Sequence, residues 1–184
     1  SYCNGLKSIK IPSSVVSFRE NPFAGCEYLT EIDVSENPNF VFVDGVLMDR
    51  EMTQIICRCH SKPGGYSIPA SVTAIGGGAF WGSNFLISII IPGSVKEVGN
   101  EAFYGCVMLE LITIPGIIEV LGANPFSGCY RLSEIRVVGD AQKLKMVDGV
   151  LFLREMTRLI WCSRKKSGSY EIPNIVKRSE ERRV

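Results

Sequence analysis

The sequence predicts an α/β repeat solenoid, predominantly β with short helical turns, with a parallel sheet on one face. Three observations predict it. Ile-Pro pairs stand at Ile68-Pro69, Ile91-Pro92 and Ile114-Pro115, 23 residues apart, with outlying pairs at Ile11-Pro12 and Ile172-Pro173. Phe-x-Gly-Cys tetrads recur at Phe23, Phe103 and Phe126, and Phe80-Trp81-Gly82-Ser83 is a variant, so Phe80, Phe103 and Phe126 also repeat every 23 residues. A longer period overlies the short one. Asp44-Gly45-Val46-Leu47 returns as Asp148-Gly149-Val150-Leu151, and Glu51-Met52-Thr53 as Glu155-Met156-Thr157, both at an offset of 104. Self-similarity at a fixed period marks an array whose units bury by stacking what none can bury alone.

Each 23-residue unit opens with Leu-x-x-Ile-x-Ile, as at Leu109, Ile112 and Ile114. The two Ile alternate at period two, the pattern of a half-buried strand. Strands are expected at 9–11, 32–34, 89–91, 112–114 and 135–137, in one parallel sheet. Proline follows and should end ladder pairing, since it lacks an N–H. Two apolar residues three apart come next: Val72 and Ile75, Val95 and Val98, Ile118 and Leu121. Gly76, Gly99 and Gly122 follow and suggest a tight backbone turn. The Ala-Phe or Pro-Phe step then anchors an aromatic on a short helical turn. Phe23, Phe80, Phe103 and Phe126 are expected to be buried and stacked beside Cys26, Cys106 and Cys129.

Two longer units interrupt the short ones, near 35–68 and 139–172. In the first, Phe40 to Val43 and Val46 to Met48 are β-rich runs around Asp44-Gly45, a favoured two-residue hairpin turn. Thr53 to Cys57 is a further strand candidate after the polar turn at Asp49 to Glu51. The unit reads either as a longer coil closing the core or as a loop protruding toward a partner, and its recurrence favours the former. A single solenoid is expected over 1–176, as part of a longer array. The charged tail 177–184 does not fit the apolar column and should fray.

Composition narrows the function classes. Of 184 residues, 46% are apolar and 21% charged, as in ordinary folded proteins. No run approaches the roughly 18–20 apolar residues of a membrane span. The net charge of +1 gives no bulk field to recruit nucleic acid. From Arg154 to Val184, nine Lys/Arg stand against four Asp/Glu. The run Arg164-Lys165-Lys166 has no interleaved aromatics for base stacking and reads as a solvated loop. Seven cysteines are present. Cys3, Cys26, Cys106 and Cys129 share one repeat position and read first as small buried packing residues. The alternative is a disulfide between stacked neighbours such as Cys106 and Cys129.

Catalytic constellations are weak. His60 is the only histidine. Cys57-Arg58-Cys59-His60 lacks the two-residue ligand gap and the second ligand pair of a zinc site, so no metal or cofactor is expected. A nucleophile needs a base in reach, and Cys59 and His60 are adjacent in sequence, a poor arrangement for facing one substrate. Asp44 and Asp148 are repeated turn residues rather than an acid pair. Gly76-Gly77-Gly78 sits in the repeat's turn slot, without the Walker lysine or the strand-to-helix dinucleotide unit of a phosphate loop.

The stretch Leu86-x-x-Ile89-x-Ile91-Pro92-x-x-Val95-x-x-Val98-Gly99-x-x-Ala102-Phe103-x-Gly105-Cys106 resembles the BspA-like leucine-rich repeat family almost position by position, and the resemblance runs from Cys3 to about Val176. The Asp-Gly-Val-Leu unit also looks like that family's longer inserted unit. The resemblance implies a leucine-rich-repeat right-handed superhelix. It further implies a surface-exposed or secreted protein associated with adhesion to host proteins or other cells; with the weak catalytic constellations, the expectation is a non-enzymatic module binding a host matrix or cell-surface protein. Departures are local: Ser83 stands for the usual Cys, and Phe18 and Leu121 for the usual Ile.

Surface recognition is the remaining function class. Residues flanking the first Ile of each Ile-x-Ile strand should point outward. These are Ser8 and Lys10, Glu31 and Asp33, Gly65 and Ser67, Ser88 and Ile90, Leu111 and Thr113, Glu134 and Arg136. Ile90 and Leu111 are the apolar members, with Ile87 nearby. An exposed apolar patch suggests a partner site, here Ile90 and Leu111 at the centre with Ile87, Ser88, Thr113, Glu134 and Arg136 around them. The alternatives are a carbohydrate-processing β-solenoid enzyme and a purely structural spacer. The enzyme should show clustered charged residues on consecutive coils, and the acidic pair Glu31/Asp33 has no matching basic pair beside it.

Overall fold

A computed structural model describes residues 3, 5–59, 63–163 and 165–179, with backbone alone for 178 and 179. Strands are numbered here in chain order. The sheet on the predicted face comprises β6 (Gly64–Ser67), β8 (Leu86–Ile90), β10 (Leu111–Pro115) and β12 (Glu134–Val138), all parallel and ordered β12-β10-β8-β6. β1 (Ser8–Lys10) and β2 (Glu31–Asp33) form a separate parallel pair. A six-stranded sheet lies on a second face. It joins β3 (Phe40–Val43), β4 (Val46–Asp49) and β5 (Gln54–Arg58) to the two-residue strands β7 (Ala74–Ile75), β9 (Glu97–Val98) and β11 (Val120–Leu121). The last sheet runs β13 (Leu144–Val147), β14 (Val150–Leu153), β15 (Arg158–Cys162) and β16 (Arg178–Ser179).

The facing read from sequence holds along the strands. Ile32, Ile89, Ile112 and Ile135 are buried, as are Ile11, Ile91 and Ile114 one step beyond. Phe80, Phe103 and Phe126 stack with ring centroids 5.1 and 5.8 Å apart. Phe80 and Phe103 are fully buried.

Four expectations are corrected. The five strands do not form one sheet. Between β2 and β6 the chain builds the antiparallel meander β3-β4-β5, which stands across the stack and separates β1-β2 from β6-β12. Phe23 accordingly leaves the aromatic column. It is half-buried and packs beside Phe18 at 6.2 Å, and Phe18 lies 5.1 Å from Phe40.

The Phe segments are also not helical, and no helix occurs among the described residues. Their amides alternate between two destinations. Ala79, Trp81 and Ser83 bond three residues back, to Gly76, Gly78 and Phe80 carbonyls at 3.2, 2.8 and 3.0 Å. Gly78, Phe80 and Gly82 instead donate sideways to the next coil, at Asn100, Ala102 and Tyr104 carbonyls, 2.9, 2.7 and 2.8 Å away. A helix needs its successive amides to bond four residues back. Stacking diverts every second one, and the segment becomes a third bonded face of the coil.

The glycines after Ile75, Val98 and Leu121 have no positive φ, yet Gly76 opens the expected tight turn, its carbonyl accepting from Ala79 N–H at 3.2 Å; they also sit where coils approach. Gly76 N–H donates to Ile55 O at 2.8 Å, and a Cβ on Gly76 would lie 2.9 Å from that oxygen. Pro115, finally, stays within β10, in register with Val138. The missing donor is tolerated there because Gly116 N–H supplies the next bond, to Val138 O at 2.9 Å.

The first long unit closes the core. Asp44 and Gly45, with φ of 51° and 77°, make the hairpin turn that their sequence favours. The charged tail keeps backbone pairing at its start: Lys177 N–H donates to Thr157 O at 2.8 Å, and Arg178 and Ser179 pair with Arg158 and Leu159. Residues 180–184 lie outside the described residues.

Candidate functional site

The strand face is built by parallel register. Ser67, Ile90, Thr113 and Arg136 form one outward row, and Gly65, Ser88, Leu111 and Glu134 the other. Ile90 and Leu111 are therefore diagonal neighbours on adjacent strands. Ile90 is 53% exposed, whereas Leu111 is half-buried, so the expectation that both stand in solvent holds for Ile90 alone. The β6-β8 register explains Ile87. Gly64 pairs with Leu86 and Gly65 with Ser88, so Ile87 is the extra residue of a bulge. It points outward, 39% exposed, beside Ser88.

Sequence reading missed two members of this surface. Phe85, just before β8, is 53% exposed, and Met108, its counterpart one repeat on, is 36% exposed. The signal was available in the 23-residue spacing that relates Phe85, Met108 and Arg131. Apolar exposure thus concentrates on the coil of Phe85, Ile87 and Ile90. Small residues flank it on β6, where Ser88 Oγ overhangs Gly65. Charge flanks it on β12. Arg136 Nε donates to Glu134 Oε1 at 2.7 Å, and this bond holds the Glu134 carboxyl below its usual range. Arg131 lies 3.7 Å from Glu110, one coil from Met108.

The Cys57-Arg58-Cys59 run is buried, and His60 lies outside the described residues. The Cys57 thiol donates to the Cys59 sulfur. That bond, with burial, pushes Cys57 well above the usual thiol range; the same bond, with the charge of Arg58, draws Cys59 below it against the opposing effect of burial. Arg58 is 8% exposed and its guanidinium lies 5.8 Å from the Tyr66 ring centre. Burial lowers its pKa. This is core chemistry, out of reach of a macromolecular substrate. Cys106 and Cys129 are thiols rather than a bridged pair. Cys106 and Cys129 Sγ donate to Phe80 and Phe103 carbonyls, each at 3.0 Å, and so tie successive coils. Ser83 occupies the same slot with its hydroxyl unpaired.

Against known proteins, a family model described as the BspA type leucine rich repeat region matches in six copies, over residues 1–43 and 59–152. Among solved structures, the chain is similar to a leucine-rich repeat protein from Eubacterium ventriosum, at 28% identity and a TM-score of 0.66, over 73% of this chain and 37% of that one. It is similar to the pneumococcal vaccine antigen PcpA at 26% identity and a TM-score of 0.59, over 95% of this chain and 41% of that one. A leucine-rich repeat protein from Bacteroides ovatus shares the fold, at 24% identity and a TM-score of 0.51, over 98% of this chain and 40% of that one. The chain thus spans about two-fifths of the length of these structures. A comparison with curated proteins returns no match.

Proposed function

The chain belongs to the BspA type leucine rich repeat family, and from that premise we propose that it is a non-enzymatic protein-binding module of a surface-exposed or secreted protein. Repeats of this family commonly mediate protein–protein interaction. The observation that carries the proposal is the cluster of Phe85, Ile87 and Ile90, exposed together on one coil with Met108 beside them. An apolar centre rimmed by polar groups, here Ser88, Thr113, Glu134 and Arg136, is the usual anatomy of a binding surface. Stacked coils also present such a centre on a rigid, extended face. The partner in this reading is a host matrix or cell-surface protein. The pneumococcal relative is a vaccine antigen, in keeping with a molecule displayed outside the cell.

The test is a binding screen of the chain against matrix proteins, repeated with Ile87→Asp/Ile90→Asp. Both side chains are exposed, so the melting temperature should stay near wild type. Truncating an anchor at an interface centre typically costs about 2 kcal/mol, roughly thirtyfold in affinity. Binding that survives the double variant would remove the patch from consideration. Absence of any partner would favour a spacer between other domains.

A further inference from the structure

A cavity of about 240 Å³ opens beside the first long unit, lined among others by Phe18, Asn39, Asp49, Arg50, Glu51 and Gln54. It shares no residue with the strand-face patch. Its chemistry is legible because the chain contains the same place twice. Phe18 corresponds to Leu121 in the repeat alignment, and Gln54 corresponds to Arg158 at the offset of 104. In the second unit Arg158 reaches across this space. Its Nη1 donates to Leu121 O at 3.0 Å and its Nη2 to Gly122 O. In the first unit Gln54 is shorter, and its amide lies near Gly76 on the other side. Among the described residues no donor reaches the Phe18 or Arg19 carbonyls. The space that a guanidinium fills in one unit is open in the other.

We propose that this cavity is a receptor site for an arginine side chain presented by a partner protein. Arg158 is the internal template for the occupant: a planar fork of donors set against two successive backbone carbonyls. Charge adds to the fit. Asp49 and Glu51 line the cavity together with Arg50, which is exposed, while exposed Arg19 follows Phe18 just beyond the lining, and Leu153 replaces Asp49 in the filled unit. The Asp49 carboxylate is held in place by Thr53 N–H and Gln54 N–H at 2.7 and 2.6 Å, and so presents a fixed negative charge. Asn37 and Asn39 Nδ2 already donate to the Val15 carbonyl, at 2.9 and 3.3 Å, so that acceptor is taken. A lysine would supply the charge without the fork.

The experiment titrates the whole chain with N-acetyl-arginine amide, followed by amide chemical shifts. N-acetyl-citrulline amide serves as a neutral isostere and N-acetyl-lysine amide as a point charge. A lone side chain should bind in the millimolar range. The expected result is saturable shifts at Phe18, Glu51 and Gln54 with arginine, none with citrulline, and weaker ones with lysine. Gln54→Arg fills the cavity from within and should abolish the shifts. Arg158→Gln should open a second set at Glu119 to Gly122. Equal shifts with citrulline, or undiminished binding in Gln54→Arg, would overturn the assignment. Should Gln54→Arg fail to fold, Glu51→Lys on the exposed turn serves instead: it should weaken arginine binding at least tenfold, and binding unchanged by it also overturns the proposal.

Discussion

The two long units carry one plan in different settings. Each turns on Asp-Gly, at Asp44-Gly45 and Asp148-Gly149, and each places a methionine at positive φ, Met52 at 56° and Met156 at 54°. Each also breaks register at the matching step, Leu47/Met48 and Leu151/Phe152. In both, one face of the meander packs upstream and the other downstream. Phe40, Leu47 and Ile56 join the N-terminal core, and their counterparts Leu144, Leu151 and Ile160 join the central one. Val46, Met48 and Ile55 face the central core, and Val150, Phe152 and Leu159 a small C-terminal one. The meander is thus a bulkhead between compartments, made by period-two alternation in a strand buried on both faces. What differs is the cluster each faces downstream. The first faces three regular coils and the stacked phenylalanines; the second, among the described residues, faces a cluster packed by Tyr170, Ile172 and Val176.

The largest expected effect tests that difference. Met48→Ala and Phe152→Ala each empty a fully buried downstream position. Such truncations typically cost about 2–5 kcal/mol for Met and about 3–5 kcal/mol for Phe. Met48→Ala should lower the global urea midpoint, because its core is continuous with the central stack. Phe152→Ala should act locally, since its cluster is separate from the central one and repeat proteins open in local units. Hydrogen exchange should show lost protection over 144–179 with 86–121 still protected. Equal loss throughout would mean that the bulkhead does not divide the array.

Next in size is Arg158→Gln. It removes two charge-assisted bonds to backbone carbonyls in a partly buried place. Bonds of that kind are worth about 1.5–3 kcal/mol each at most, and loss of the pair should lower the melting temperature by several degrees. The counterpart Gln54→Arg should leave stability unchanged or raised. If it is strongly destabilising, the two spaces are not equivalent.

Much of this architecture was legible in the sequence. The 23-residue period placed β8, β10 and β12 within a few residues, because alternation of Ile89 with Ile91, or Ile112 with Ile114, survives in any stacked coil. The second face was not legible. Ala74–Ile75, Glu97–Val98 and Val120–Leu121 are strands of two residues, too short to show a period, and they exist only through bonds to neighbouring coils. The helical reading of the Phe turns failed for the same reason, since lateral partners are invisible in one unit. At the site, Ile90 and the outward rows followed from alternation. Ile87 is legible only as a neighbour, because its outward placement requires a bulge, and Phe85 lies before the strand, where only the 23-residue spacing to Met108 and Arg131 marks it. The cavity needed segments 16–18, 38–40 and 49–56 brought together. Its sequence traces are the Gln54/Arg158 and Asp49/Leu153 differences between corresponding positions.

A smaller effect is expected at Asp49, where the units differ most in polarity. Asp49 accepts from Thr53 N–H, Thr53 Oγ1–H and Gln54 N–H and so closes the turn before β5. Leu153 offers no such acceptor. Asp49→Asn keeps part of this bonding and loses the charge, so it should cost about 1 kcal/mol by chemical denaturation. Leu153→Asn should cost less than burial of a core leucine, because Leu153 is only partly buried. A cost for Asp49→Asn near zero would show that the turn is held by the ladder alone.

The last contrast leaves stability untouched and reads a rate. Cys57 sits on the first bulkhead, 1% exposed, and its bond to Cys59 together with burial holds the thiol well above its ordinary range. In the second unit Trp161 takes that position, and the adjacent Cys162 is only partly buried. Thiolate is the form that alkylates, so burial and the bond to Cys59 both protect Cys57, whereas Cys162 is the more accessible of the two. Iodoacetamide at neutral pH, followed by peptide mass spectrometry, should label Cys162 at least roughly ten times faster than Cys57. The sign of the pH dependence sharpens the comparison. A folded thiol pKa above the unfolded one means the native state keeps a proton that the unfolded chain releases. Stability contributed by Cys57 is therefore full below the ordinary thiol range and falls as pH rises beyond it. Native labelling of Cys57 should remain slow up to the pH at which the bulkhead opens, then rise together with loss of protection at Leu47 and Ile56. Early labelling of Cys57 without that loss would place the thiol on an open surface and take the first bulkhead apart as a sealed wall.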